Sequence, residues 1–293
     1  DGQKDIQEVF DLYDIIIEKI EKEEGNYAVQ INKMLEMEES GQKLSSKDQK
    51  KLDGYEKYLG YYSKIKESVD TKLGSVADCD NLIPLYEKNF EDKKEDIAWL
   101  KSAASRLNAK DCETPLFYQL VQQLHALQPS AASAFYLGRL ADRDGNNTDA
   151  INYYNQAVEL ETNANKAADY VFAIAENYRK RGSYSNARAS YLKVLEQKPS
   201  KGICYLRIAD MYSKSSNDCG SIVFEKRAIN WKAAEMADRA ARVDASVAAT
   251  ARATAESYRG RAPSKSDIFA EGMAGKVINI NCWIGGSVKV PNL

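Results

Sequence analysis

The sequence predicts an all-α protein in which helix pairs stack along the chain as a right-handed α-solenoid, with an N-terminal helical hairpin and a short C-terminal β-hairpin. Three observations lead to this fold class. The 293 residues include only 6 prolines and 16 glycines, too few for the turns of a β-sandwich. Apolar residues recur at helical spacing through most of the chain. Helix-length segments after residue 80 also resemble one another, which indicates a repeat.

Residues 1–76 are predicted to form an N-terminal helical hairpin or cap. An apolar stripe over residues 5–22 indicates one helix, which Gly25-Asn26 is expected to end. A second helical stretch is expected over residues 27–39 and a third helix after Ser46, whose hydroxyl can cap it. The stripe consists of Ile6, Val9, Phe10, Tyr13, Ile16, Ile17 and Ile20.

Residues 77–262 are predicted to hold the repeats. Two segments end in Pro-Ser pairs, at Pro129 and Pro199, which lie about 70 residues apart, or twice a unit of about 35. The best units are 131–164, 168–201 and 202–245, the last with an insertion, and 248–262 is a half-unit. The positions that recur are Leu137, Gly138, Ala150, Tyr154 and Ala157 in the first unit, and Ala175, Tyr178, Ala187, Tyr191 and Pro199 in the second.

These positions resemble the tetratricopeptide repeat, a helix-turn-helix unit in which small residues let the helices approach and aromatic residues fill the space between units. The whole chain is similar to exported tetratricopeptide-repeat proteins of Bacteroides-like bacteria, through residues 77–86, residues 217–246 and the tail up to Gly285. The resemblance implies an exported protein, periplasmic or associated with the cell envelope, whose signal peptide has been removed. A cytoplasmic location is the alternative.

The last segment, residues 263–293, breaks the helical pattern. Val277, Ile278 and Ile280 favour a strand, as do Val288 and Val290, and the Gly285-Gly286 pair lies between the two runs. We therefore expect a β-hairpin that packs on the last repeats, because an isolated hairpin is marginally stable in water.

The five cysteines suggest two disulfides. Cys79 and Cys112 each follow an aspartate at a break between helices, about one repeat apart, and stacked helix pairs bring such breaks together. Cys219 in the insertion and Cys282 in the hairpin could form a second bridge that fastens the tail. Cys204 would then be a buried thiol on a first helix. The alternative is five reduced thiols in a cytoplasmic protein.

Composition argues against most other kinds of site. With 41 basic and 43 acidic residues, the formal charge of -2 gives no attraction to nucleic acid. A single histidine, His125, cannot supply a multi-histidine metal site, and no Cys-x-x-Cys pair occurs, so no metal is expected. No apolar run is long enough for a transmembrane segment. No residue set organises catalysis, and neither an enzyme nor a cofactor is predicted.

What remains is a groove on the concave face, lined by the first helices of the repeats. Its mixture of apolar and basic side chains suits an extended peptide of acidic or aromatic character. The predicted groove residues are Phe135, Arg139, Phe172, Glu176, Arg179, Leu206, Asp210, Ser213, Arg252 and Arg259. The predicted function is a non-catalytic scaffold of the cell envelope that binds a protein or an extended peptide. The alternative is an accessory protein that binds glycans or small molecules, with tyrosines as stacking platforms.

Overall fold

A computed structural model describes residues 2–40, 42–74, 78–112 and 114–293, without the side chains of residues 2–15, 17, 18, 39, 70–74, 81 and 109. The predicted all-α fold is confirmed, because the helices pack against their neighbours in sequence and one short antiparallel sheet follows them. The elements are α1 (Gly2–Glu39), α2 (Ser46–Gly74), α3 (Cys79–Lys93), α4 (Ile97–Ala109), α5 (Pro115–Leu127), α6 (Ala131–Arg143), α7 (Asn147–Leu160), α8 (Ala164–Lys180), α9 (Tyr184–Gln197), α10 (Gly202–Lys214), α11 (Val223–Val243), α12 (Ala248–Arg261), α13 (Lys265–Ala270), β1 (Val277–Asn279) and β2 (Ser287–Lys289).

The chain forms two compact units. Unit 1 comprises Asp1–Glu21 and Lys64–Asn177, and unit 2 comprises Lys22–Ser63 and Tyr178–Leu293. The domain boundaries predicted at residues 76 and 262 stay predictions. Among the described residues, no helix has both the length and the apolar character needed to cross a membrane.

Unit 1 is built from helices α3 to α7, each packed on the next. Its core lies between α4, α5 and α6, where the side chains of Leu100, Phe117, Leu120 and Leu124 are fully buried. A disulfide joins Cys79 and Cys112, the pair predicted from the sequence. This bridge ties the start of α3 to the loop before α5.

Small residues set the spacing within the best repeat of unit 1. A Cβ atom added to Gly138 in α6 would lie only 2.5 Å from the ring of Tyr154 in α7, and that ring is 2% exposed. The turn between the two helices places Gly145 at a φ of 76°, a conformation that favours glycine. Asn146 then caps α7 by accepting a hydrogen bond from the Asp149 amide. The repeat pattern therefore reflects close helix packing and a tight turn.

Unit 2 contains the later helix pairs, in which α10 packs on α9 and on α11, and α11 packs on α12. Ile208, Met211, Ile229, Ala233 and Ala237 are fully buried or nearly so. The alanines of α11 let this long helix lie close to both of its neighbours. The first part of the unit includes Tyr27 of α1, whose ring stacks on Tyr58 of α2 at 5.3 Å.

The predicted break at Gly25 and Asn26 is wrong, because α1 runs without interruption from Gly2 to Glu39. A glycine inside a helix costs about 1 kcal/mol, which packing can offset. Gly25 faces the ring of Pro199, and Ala28 and Ile31, one and two turns later, are fully buried. The side chains of Ile6, Val9, Phe10, Tyr13 and Ile17 in the predicted stripe lie outside the described side chains.

The predicted C-terminal β-hairpin is confirmed. Strands β1 and β2 pair antiparallel, with Ile278 opposite Val288, and both of these side chains are buried against Phe224 of α11 and Ile268 of α13. Gly285 and Gly286 both have positive φ values in the turn. The hydrophobic face of the hairpin is thus buried by α11 and α13 of the same unit.

A disulfide, a hydrogen bond and aromatic contacts fasten the turn of this hairpin to the helices of unit 2. The second predicted disulfide joins Cys219 to Cys282. The indole of Trp283 donates a hydrogen bond to the Ser215 hydroxyl at 3.0 Å, and its ring lies near the rings of Tyr184 and Tyr212 at 5.8 and 5.5 Å. The remaining cysteine, Cys204, is buried in α10, outside both disulfides.

Candidate functional site

An open cleft of about 550 Å³ lies between α10 and α12 in unit 2, and we call it the polar cleft. On α12 its lining residues follow a spacing of three and four, which places them on one face of that helix. The lining residues are Asp210, Ser213 and Lys214 from α10, and Thr250, Ala253, Thr254, Ser257, Tyr258 and Arg261 from α12.

Hydroxyl and charged groups dominate the polar cleft. The Lys214 ammonium lies 2.9 Å from an Asp210 carboxylate oxygen, one helical turn away. The Arg261 guanidinium lies over the Tyr258 ring at 5.6 Å and donates to the Ser257 hydroxyl at 3.4 Å. Burial raises the pKa of Tyr258, and the charge of Asp210 raises it further, so the phenol stays protonated and can donate a hydrogen bond. These groups can hydrogen-bond to an extended main chain.

The structure brings two predicted groove residues, Asp210 and Ser213, to this cleft. The Ser213 hydroxyl also donates to the Asn230 amide oxygen at 2.9 Å, which holds α10 against α11. Leu206, one turn before Asp210, is half-buried in α10 and is not part of the cleft lining. The binding role of these three residues stays a prediction.

Arg252 and Arg259, in contrast, lie on the opposite face of α12. They are seven residues apart, so they share one face two turns apart, about half a helical rotation from Thr250 and Thr254. There they line a second opening of about 360 Å³ with Arg239 and Arg242 of α11, and we call it the arginine cleft. The carboxylates of Glu38, Glu235 and Asp238 complete its charged lining.

The predicted groove residues of unit 1 take part in packing. Phe135 is half-buried, and its ring lies near the rings of Tyr136, Tyr154 and Tyr170, with centroid distances of 5.9, 5.6 and 4.7 Å. Arg139 donates a hydrogen bond to the Asn108 amide oxygen. Phe135 therefore helps to join α6 to α7 and α8.

The other predicted groove residues near the end of α8 are Phe172, Glu176 and Arg179. All three are half-buried, and each interacts with another residue of the chain. Their role in binding stays a prediction.

Sequence reasoning missed most of the polar cleft. Thr254, Ser257 and Arg261 were not among the predicted groove residues, although their spacing of three and four on a helix is visible in the sequence. Over the residues that the structure describes, no group of three or more His, Cys, Asp or Glu side chains could hold a metal ion.

Comparisons with known proteins identify the repeats. A family model of the tetratricopeptide repeat matches residues 132–163 and 168–201, so the chain contains these repeats at two of the predicted units. The units predicted at 202–245 and 248–262 lie outside this match and stay predictions. One solved structure to which this chain is similar is the crystal structure of MamA protein, at 18% identity, with 68% of this chain and 94% of that chain covered and a TM-score of 0.44. A comparison with curated proteins gives no match.

Proposed function

We propose that this protein is a non-catalytic scaffold that binds an extended segment of another protein in the polar cleft. Tetratricopeptide repeats are helical-hairpin units whose stacking creates extended binding surfaces on the first helices. By the predicted repeat frame, α10 and α12 are successive first helices. The observation that carries the proposal is the open, hydroxyl-rich cleft between them.

The chemistry of the cleft suits a peptide main chain. An extended segment presents amide and carbonyl groups that need partners, and Thr250, Thr254 and Ser257 offer hydroxyls along two turns of one helix face. The Asp210–Lys214 pair adds one charge of each sign at the opposite wall.

The cleft walls are held in place before a partner arrives. Both helices pack on α11, and the Ser213–Asn230 hydrogen bond fixes the α10 wall. A rigid site loses little conformational entropy on binding, which favours affinity. We propose the same mode of action, binding without catalysis, for the whole chain.

We further propose that the protein works in an oxidising compartment, as an exported protein of the cell envelope. Disulfides persist in such compartments and are rare in the cytoplasm. The two disulfides, Cys79–Cys112 and Cys219–Cys282, support this location.

Site-specific photo-crosslinking tests the binding site. A benzophenone amino acid would replace Ser257 in the cleft or, as the matched control, Ser185, which is also an exposed serine and lies on α9. Both proteins would be irradiated in an extract of the producing cells. We expect a discrete crosslinked protein from position 257 that is missing from position 185.

The captured protein would then be titrated against two variants that each add two arginines seven residues apart. Thr250→Arg/Ser257→Arg fills the cleft and should weaken binding by about tenfold or more. Ser185→Arg/Leu192→Arg adds the same charge on the exposed face of α9 and should change the affinity less than about twofold. Equal losses from both variants would contradict the proposed site.

A further inference from the structure

The two disulfides differ in the polar groups that lie beside their sulfur atoms. At the Cys219–Cys282 bridge, the Ile284 amide donates a hydrogen bond to the Cys282 sulfur at 3.4 Å. At the unit 1 bridge, the carbonyl oxygen of Lys110 lies 3.6 and 3.7 Å from the two sulfurs. An N–H donor stabilises negative charge on sulfur, whereas a carbonyl oxygen repels it. The surroundings therefore favour a thiolate at Cys282 and disfavour one at the unit 1 bridge.

Negative charge on sulfur decides how fast a disulfide is reduced by a dithiol. A thiolate of the dithiol attacks the half-buried Cys282 sulfur, and the S–S bond breaks with its electron pair on Cys219. The second thiolate of the dithiol then attacks its own sulfur in the mixed disulfide, and Cys282 leaves as the thiolate that the Ile284 amide stabilises. The dithiol is oxidised to its disulfide, and its two protons pass to the two cysteines.

The turn that carries Cys282 covers a surface of α9 and α10. The Trp283 ring lies near the rings of Tyr184 and Tyr212. The Arg188 guanidinium lies 5.4 Å from the Trp283 ring and donates a hydrogen bond to the carbonyl oxygen of the next residue. These aromatic and arginine side chains lose their cover if the turn moves away.

The strands of the hairpin have an attachment of their own. Ile278 and Val288 are buried against α11 and α13. The turn itself contains Gly285 and Gly286, which can change conformation at little steric cost. Opening of the bridge therefore frees the turn, while the strands still hold the tail on unit 2.

We propose that the Cys219–Cys282 disulfide is a redox-sensitive latch on the tail. In the oxidised protein the latch is closed, and the turn covers the aromatic surface of α9 and α10. A dithiol opens the latch before it reduces Cys79–Cys112, and the turn then leaves this surface. The unit 1 bridge stays closed and keeps its helices joined.

This inference goes beyond the proposed function, because it assigns a conformational control and not a binding site. Tyr184, Arg188 and Tyr212 do not belong to the lining of the polar cleft. The substitutions that test the polar cleft leave both disulfides in place, so either proposal can fail while the other stands.

Timed reduction of the intact chain tests the order of opening. The protein is treated with dithiothreitol, trapped at intervals with excess N-ethylmaleimide in urea and digested, and mass spectrometry reports each cysteine. We expect Cys219 and Cys282 to be reduced at least about tenfold faster than Cys79 and Cys112. In protein that is unfolded in urea before reduction, the two bridges should react within about threefold of each other, because the folded surroundings are gone.

Hydroxyl-radical labelling, which oxidises exposed aromatic side chains, tests whether the bridge holds the turn. Cys219→Ser/Cys282→Ser should raise the oxidation of Trp283 by about threefold or more. The matched control, the same change at Cys79–Cys112, should leave it within about 1.5-fold of the parent. Tyr191 of α9 is fully buried and should stay protected in all three proteins, which reports that the helices remain folded.

Four results would overturn the inference. Reduction of both bridges at equal rates, or of the unit 1 bridge first, would remove the selectivity. A rate difference that persists in urea would assign it to the local sequence and not to the folded surroundings. Unchanged oxidation of Trp283 in Cys219→Ser/Cys282→Ser would mean that its other contacts hold the turn without the bond. Oxidation of Tyr191 in that variant would mean that the helices open and not the latch.

Discussion

Phe135 packs against its neighbours, and its predicted role in peptide binding stays a prediction. The sequence predicts that it faces a groove from a first helix, and its half-buried ring lies near three tyrosine rings from α6, α7 and α8. Aromatic contacts of this kind stabilise a fold beyond the area that they bury. The helical register of Phe135 was predictable, but the tyrosine rings that surround it come partly from neighbouring helices, whose positions the sequence alone does not determine.

Phe135→Ala should lower the free energy of unfolding by about 2–3 kcal/mol, because it removes a half-buried ring from a cluster of tyrosines. The control is Phe269→Ala, whose side chain in α13 is 75% exposed and should matter by less than about 0.5 kcal/mol. Urea titration measures both. A Phe135→Ala variant as stable as the parent would contradict the packing role.

His125 should make stability depend on pH. Burial lowers the pKa of its imidazole, and its Nδ1 lies 3.1 Å from the Ser133 hydroxyl. The folded state therefore binds this proton less readily than the unfolded chain, so the contribution is complete above a pH of about 6.5 and is lost as the pH falls through the folded-state pKa. Urea titrations from pH 7.5 downward should show a shallower fall for His125→Gln, and parallel curves would contradict the assignment.

At the scale of the elements, the sequence predicted the C-terminal hairpin and the two disulfides, because residue types at particular positions indicate them. The hairpin follows from two β-prone runs around Gly285-Gly286. The Cys79–Cys112 disulfide follows from cysteines at comparable helix breaks, and the Cys219–Cys282 disulfide was predicted between the insertion and the hairpin. Two features could not be predicted because they depend on packing between helices. One is the continuity of α1 through Gly25, and the other is the opening that Arg252 and Arg259 line together with Arg239 and Arg242 of α11.

The hairpin should depend on its disulfide. Cys219 and Cys282 are 63 residues apart in the sequence, and a bridge across such a loop contributes about 2–4 kcal/mol. In Cys219→Ser/Cys282→Ser we expect the amide protons of β1 and β2 to lose about 2 kcal/mol of protection against hydrogen exchange.

The matched control removes the other bridge. Cys79→Ser/Cys112→Ser deletes a disulfide of unit 1 and should leave the exchange of the hairpin amides unchanged. Unchanged protection in the first variant would mean that Trp283 and the buried faces of the strands hold the hairpin without the covalent bond.

For the whole molecule, the oxidation state of the five cysteines tests the proposed location. Protein isolated from its native source would be unfolded without reductant, alkylated and weighed by mass spectrometry. We expect Cys204 alone to be labelled, because the other four cysteines are in disulfides, and labelling of all five after reduction. Labelling of all five without reductant would contradict an oxidising compartment.

The placement of the three tryptophans lets intrinsic fluorescence report on the disulfide of the C-terminal tail. Trp99 belongs to unit 1, with its ring edge-on to Tyr86, whereas Trp231 and Trp283 belong to unit 2. Trp283 directly follows Cys282, and a nearby disulfide quenches indole emission by accepting an electron from the excited ring. In a Trp99→Phe/Trp231→Phe variant, Trp283 emission therefore increases when the Cys219–Cys282 disulfide is reduced. Fluorescence can thus follow the reduction of this bond in real time.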